Sequence, residues 1–139
     1  DELVIIAPNT EKDRRFQEEC PNDISWLKRE HVIMREEGSG TRKEAEKQLR
    51  SAGVNMVDLE IIASIENQET IKKSVRQGIG VSILSRLAAT DEAKAGQMLI
   101  FPIPGADEGR DINVVYNRNY QLSRSAERFI KIVKEVYEV

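Results

Sequence analysis

HVIMREEGSGTRKEAEKQLRSA, residues 31–52, carries the fold in one passage. Its first five letters, His31 to Arg35, are an apolar run of strand length. The run breaks at Glu36-Glu37-Gly38-Ser39-Gly40, and a helix follows to about Ala52. Ala45, Leu49 and Ala52 recur on one helical face, and Gly53 stands where a left-handed C-terminal cap belongs. The same unit repeats downstream. Residues 59–64 (LEIIAS) read as a strand, and Asn67 starts a helix with Ile71 and Val75 inward that ends at Gly78. Residues 79–84 (IGVSIL) are the next strand.

Upstream, residues 2–7 (ELVIIA) form a continuous apolar run stopped by Pro8, the pattern of a buried strand. Residues 9–22 are polar and charged, a surface excursion, and residues 24–27 make one short helical turn. Beyond the second unit, residues 85–95 read as a helix closed by Gly96, and residues 98–101 as a short strand ended by Pro102 and Pro104. Residues 105–109 are a loop, residues 111–117 (DINVVYN) a strand, and residues 123–137 a closing helix. Strands alternating with helices predict right-handed βαβ units. The class is therefore α/β, with a mainly parallel sheet flanked by helices.

The 139 residues suffice for one α/β domain or two small lobes. A formal charge of −3 argues against direct nucleic-acid binding, which needs a clustered basic face. The basic stretches around Lys12-Asp13-Arg14-Arg15 and Lys72-Lys73 are too short or interrupted for a phosphate clamp. No apolar run approaches membrane-spanning length. The single cysteine, Cys20, has no internal disulfide partner, which fits a reducing, cytoplasmic setting. Before Pro21 it reads as a half-buried small hydrophobe.

In open α/β sheets, ligands bind beyond the carboxyl ends of the strands, where helix N-termini converge. Two junctions qualify. The first holds Gly38, Ser39 and Thr41, with Ser39 as N-cap and glycine neighbours that expose backbone N–H groups. The second runs through Ser64, Ile65, Glu66, Asn67 and Gln68, with Asn67 as cap. Both would present partial positive charge to a carboxylate. For Ser39 alone, simple capping weighs ahead of ligand contact; at the second turn, three polar side chains crowding one strand exit favour a ligand. Glu36, Glu37 and Glu66 would oppose an anion unless they point outward or meet an amino group, so the effector class is a carboxylate or an amino-acid-like molecule.

Enzyme constellations fail on inspection. GSGT lacks the lysine and spacing of a P-loop. With one histidine, His31, and one cysteine, neither a metal cluster nor a nucleophile–base pair emerges, so no catalytic residue, metal or cofactor is assigned. Carboxylates such as Glu44 and Glu46 stand among lysines on a helix surface and serve solubility. Trp26 reads as a core residue, not a ligand platform.

Arg35-Glu36-Glu37-Gly38-Ser39-Gly40-Thr41-Arg42 resembles the R-E-x-G-S-G-T-R stretch of LysR-type bacterial transcription regulators. Residues 67–84 are similar to that family's helix-then-strand signature V-x-x-G-x-G-[IV], matched by Val75, Gly78, Gly80 and Val81. Ser85 departs from the proline usual after that strand. Residues 3–8 resemble the strand crossing between the two effector subdomains, and residues 110–117 with the last helix resemble the return. The resemblance implies a periplasmic-binding-protein type 2-like fold with an effector held between subdomains. It implies a partial effector-binding domain: residues 8–112 as the second subdomain, residues 1–7 and 113–139 as parts of the first. The winged helix-turn-helix domain that would contact DNA is expected outside this chain. The alternatives are a transport solute-binding protein of the same fold and an enzyme on a similar scaffold, and the order of the two signatures favours the regulator.

The last helix carries two apolar stripes, Ala126-Phe129-Ile130-Val133-Tyr137 and Leu122-Ile132-Val136. So wide an arc needs cover on more than one side, which predicts a homodimer or higher oligomer, or a rearranged contact.

Overall fold

The computed structural model of the chain describes residues 1–106 and 109–138. Five strands form one sheet: β1 (Leu3–Pro8), β2 (His31–Arg35), β3 (Glu60–Ile65), β4 (Val81–Ser85) and β5 (Met98–Pro102), in the order β3-β2-β4-β1-β5. Among the described residues five α-helices accompany them: α1 (Glu11–Glu19), α2 (Gly40–Ser51), α3 (Gln68–Arg76), α4 (Arg86–Lys94) and α5 (Arg124–Tyr137). Short 3-10 turns occupy Ser25–Arg29 and Met56–Asp58.

Side chains alternate across a strand, so a strand covered on both faces must be apolar throughout. β1 meets that demand: Leu3, Ile5 and Ala7 enter one core, and Val4 and Ile6 the other. The first core takes Ala45 and Leu49 from α2, with Trp26, Leu27, Phe101 and Ile103. The second takes Ile71 and Val75 from α3 and Ala89 from α4. The inward faces read from the sequence for α2 and α3 are the faces that pack. Trp26 is a core residue, its ring stacked on Phe16 at 5.0 Å and tilted against Phe101 at 4.9 Å. Cys20 is half-buried against the same cluster.

The α/β class holds, and the sheet is mixed. β2 pairs in parallel with β3 and β4, as the alternation predicted, whereas β1 runs antiparallel to both β4 and β5. The parallel character is thus confined to the β3-β2-β4 half. Each of those strands is reached through a helix, while β1 stands before the first such unit and is free to enter in the opposite direction.

Two glycines of the second signature have direct structural work. Gly78 takes φ +79°, and the chain closes α3 through Gly78 N–H to Val75 and Ile79 N–H to Ser74. At Gly80 a β-carbon would lie 2.6 Å from the His31 carbonyl oxygen. The close approach of β4 to β2 therefore excludes every side chain there.

Two segments depart from the sequence reading. Residues 9–22 hold a true helix, α1, capped by Thr10, whose hydroxyl accepts from Asp13 N–H at 3.2 Å. Residues 111–117 form no strand. A strand needs a neighbour for its N–H and C=O groups, and this segment joins neither sheet edge. It runs exposed beside α5, with Ile112, Val114 and Tyr116 facing Ile130 and Val133 across a groove of about 220 Å³. The closing helix is present, and Phe129, Ile132, Val136 and Tyr137 are exposed on it. Of the 105–109 loop, positions 107 and 108 lie outside the described residues.

Candidate functional site

Parallel pairing puts the ends of β2 and β3 side by side, with Met34 opposite Ser64 and Arg35 opposite Ile65. The two turns predicted to hold ligand therefore emerge together. In the first, Gly38 adopts φ +88° and Ser39 N–H bonds to the Glu36 carbonyl at 3.2 Å, a tight turn feeding α2. Ser39 caps that helix, its hydroxyl accepting from Arg42 N–H at 3.3 Å. In the second, Asn67 caps α3, its side-chain oxygen accepting from Thr70 N–H at 3.1 Å. The caps orient the positive ends of two helices toward one edge of the sheet.

Arg42 joins the turns. Its Nη1 donates to Ser64 Oγ at 3.0 Å and to the Arg35 carbonyl at 2.9 Å, and its Nε approaches Glu46 at 3.5 Å. The 38–41 and 64–68 turns are thus one surface. Ser64, Glu66 and Asn67 are exposed on it, and Ile65 and Gln68 are half-buried. Ser39 and Thr41 are buried, so they support the surface from beneath.

Of the three glutamates that would oppose an anion, Glu36 is tied to Arg35 by hydrogen bonds of 3.0 and 3.1 Å. That guanidinium holds the Glu36 carboxyl below its usual range. Glu37 and Glu66 are exposed.

The residue beneath Thr41 was not legible in the sequence. Arg110 Nη1 donates to Thr41 Oγ1 at 3.0 Å, while Nε bonds the buried Asp1 carboxylate at 2.8 Å. Ser85 also donates to that carboxylate, using its hydroxyl there and not as a cap for α4. Arg110 N–H to the Asp1 carbonyl (2.7 Å) and the Asp1 amino group to the Arg110 carbonyl (3.0 Å) bind the segments reciprocally. Next door, Arg86 grips Glu2 at 2.6 and 3.1 Å and lowers its pKa. Sequence offered one signal for Arg42: a cation in the first turn of a helix opposes the macrodipole, so another partner must hold it.

Among the described residues no cluster of three or more His, Cys, Asp or Glu is arranged to hold a metal ion. No helix among them is long and apolar enough to cross a membrane. His31 is exposed, 3.6 Å from Glu60.

A five-stranded α/β lobe with paired helix N-termini at its strand ends has the architecture of the periplasmic-binding-protein type 2 class. The chain belongs to the LysR substrate binding domain family, whose model matches residues 1–138. It is 29% identical over 136 residues to an uncharacterized HTH-type transcriptional regulator of Methanocaldococcus jannaschii, covering 98% of this chain and 45% of that protein. It is 32% identical over 130 residues to the HTH-type transcriptional regulator YeiE of Escherichia coli, covering 94% and 42%. The chain thus spans less than half the length of these relatives. Among solved structures, the Synechocystis CcmR regulatory domain in complex with 2-PG matches with a TM-score of 0.65 at 24% identity, over 96% of this chain and 62% of that one. The effector binding domain of QuiR in complex with shikimate gives 0.68 at 17%, over 94% and 58%. These two likenesses establish the fold.

Proposed function

We propose that this chain is the effector-sensing part of a LysR-type transcription regulator and has no catalytic role. A small metabolite, a carboxylate or an amino-acid-like molecule, sits against the surface formed by Gly38, Ser39, Thr41 and residues 64–68. Its occupancy controls DNA binding by a helix-turn-helix domain elsewhere in a longer, cytoplasmic protein. Residues 8–112 act as the second effector subdomain, and residues 1–7 and 113–139 belong to the first. The observation that carries this reading is the Arg42 bridge, which fuses two capped helix N-termini into one anion-favouring surface. Regulatory domains of this fold hold 2-PG and shikimate, which supports a small organic ligand. That the relatives are transcription regulators favours this reading over a transport protein.

A metabolite thermal-shift screen on the full-length regulator tests it. Stabilisation that is lost in Asn67→Ala and Gln68→Ala supports the site; a response untouched by both changes removes the ligand from this turn. The homodimer or higher oligomer expected from α5 belongs to the same proposal, supported by the exposure of Phe129, Ile132 and Val136. Light scattering that finds a clean monomer would remove it.

A further inference from the structure

Ser64 stands one residue from the end of β3, opposite Met34 of β2, and is exposed. Arg42 reaches it from the first turn of α2 and donates from Nη1 to Ser64 Oγ at 3.0 Å. The same nitrogen donates to the Arg35 carbonyl at 2.9 Å, so the main chain of β2 fixes the guanidinium against the hydroxyl. With 13% of its side chain exposed, Arg42 is held in place and does not sweep the surface. Its Nε turns toward Glu46 at 3.5 Å.

That contact decides the role left to the hydroxyl. A hydroxyl has one proton and two lone pairs, whereas a guanidinium has donors and no acceptor. Ser64 therefore accepts from Arg42 and cannot return its proton there. Among the described residues its O–H group donates to no other atom. An O–H whose oxygen already accepts from a cation is also the stronger donor, because linked hydrogen bonds polarise one another. The Arg42–Ser64 pair thus ends in an accessible, polarised proton, and the strongest partner for it is a charged oxygen. An ammonium group could only share that oxygen with the guanidinium, cation against cation. Of the nearby acids, Glu36 is tied to Arg35, and Glu66, two residues on, is exposed where water and salt screen it.

We infer that Ser64 is a specificity-determining residue of the effector surface. Its hydroxyl donates to an oxyanion of the ligand, and Arg42 is the positioning residue that orients it. The inference rests on the effector reading above and narrows it, because it assigns the acidic end of the ligand to one side chain.

Calorimetric titration of the full-length regulator with succinate, benzoate and shikimate tests it, each against its primary amide. Inorganic phosphate and sulfate complete the set of oxyanions. At least one oxyanion should bind, and a carboxylate should bind about tenfold or more tightly than its amide, as one charge-assisted hydrogen bond implies. Binding by phosphate or sulfate alone would support the oxyanion and assign it to a phosphoryl or sulfuryl group. Ser64→Ala should weaken the bound oxyanion by about tenfold and bring an acid and its amide to similar affinity. Ser64→Thr keeps the hydroxyl and should restore the preference. Arg42→Lys keeps the charge and loses the fork, so it should also lower the acid-to-amide ratio, which a loss of stability alone leaves unmoved. Oxyanion binding that falls in Asn67→Ala but not in Ser64→Ala would overturn this inference and leave the effector surface standing. Binding untouched by any of these changes would overturn both. An amide bound as tightly as its acid, or no oxyanion bound at millimolar concentration, would overturn the inference as well.

Discussion

Arg110 donates from Nη1 to Thr41 Oγ1 at 3.0 Å, so the segment after β5 is pinned to the first turn of α2. Thr41 is buried and the Arg110 side chain is a quarter exposed, so water replaces this bond poorly. Thr41→Val keeps the shape and removes the acceptor. It should cost about 1–2 kcal/mol of unfolding free energy, as expected for a hydrogen bond to a charged donor. Urea denaturation checks this, and an unchanged midpoint would show that the bond adds nothing to stability.

Ser39 and Asn67 both cap helices, and both belong to the proposed effector surface. Replacing either by alanine should cost about 1 kcal/mol through loss of the cap alone. The effector reading adds a second effect at Asn67, which is exposed: the metabolite-induced rise in melting temperature should shrink beyond what the cap loss explains. Ser39 is buried, so its variant should lower stability and leave more of the ligand response intact. Equal loss of response in both would contradict that division.

Gly80 and Gly40 separate two kinds of glycine. A β-carbon at Gly80 meets the His31 carbonyl at 2.6 Å, whereas nothing lies within 4 Å of one at Gly40. Gly80→Ala should destabilise by about 1–3 kcal/mol, the usual cost of overpacking. Gly40→Ala, in the first turn of α2, should be neutral or stabilise by about 0.5 kcal/mol through the unfolded state. Thermal denaturation of the two variants reads the contrast directly.

Lys72 and Glu92 pin α3 to α4 across 2.6 Å, with 9% and 16% of their side chains exposed. Burial pulls the Lys72 pKa down, but hydrogen bonds to Glu92 and Glu69 outweigh it and leave the pKa above its ordinary 10.5. The same contact with Lys72 holds Glu92 below its ordinary 4.5. The Glu92 contribution is present above about pH 4.5 and is lost as pH falls through the lowered folded value. The Lys72 contribution is present below about pH 10.5 and is lost as pH rises through the raised one. Glu92→Gln should therefore cost about 2 kcal/mol at neutral pH, since Lys72 keeps Glu69 and the Ala88 carbonyl, and should flatten the acid limb of the stability profile. Urea titrations at neutral and acidic pH test both effects.

What the sequence disclosed was local. Caps at Ser39 and Asn67 follow from residue chemistry a few positions long, and the inward faces of α2 and α3 follow from spacing. α1 escaped notice because Phe16 is its single large apolar residue, so no periodic stripe marks it; the Thr10-x-x-Asp13 pair was the signal available. The apolar alternation of residues 111–117 was real, but a strand also needs a neighbour, and letters do not supply one. The Arg42–Ser64 and Arg110–Thr41 contacts span 22 and 69 residues, beyond the reach of any spacing rule. Nor does the composition of β1 encode the direction in which it enters the sheet.

That direction has a consequence for how the molecule is made. β1 is synthesised before every other strand of this sheet, yet its ladder partners are residues 82–85 and 98–102. Until they emerge, the LVIIAP run is an unsatisfied apolar segment with free backbone groups on both sides. Pairings so distant along the chain slow folding, because loop closure must precede any gain from contact. During synthesis this nascent stretch is the part most in need of shelter from other chains.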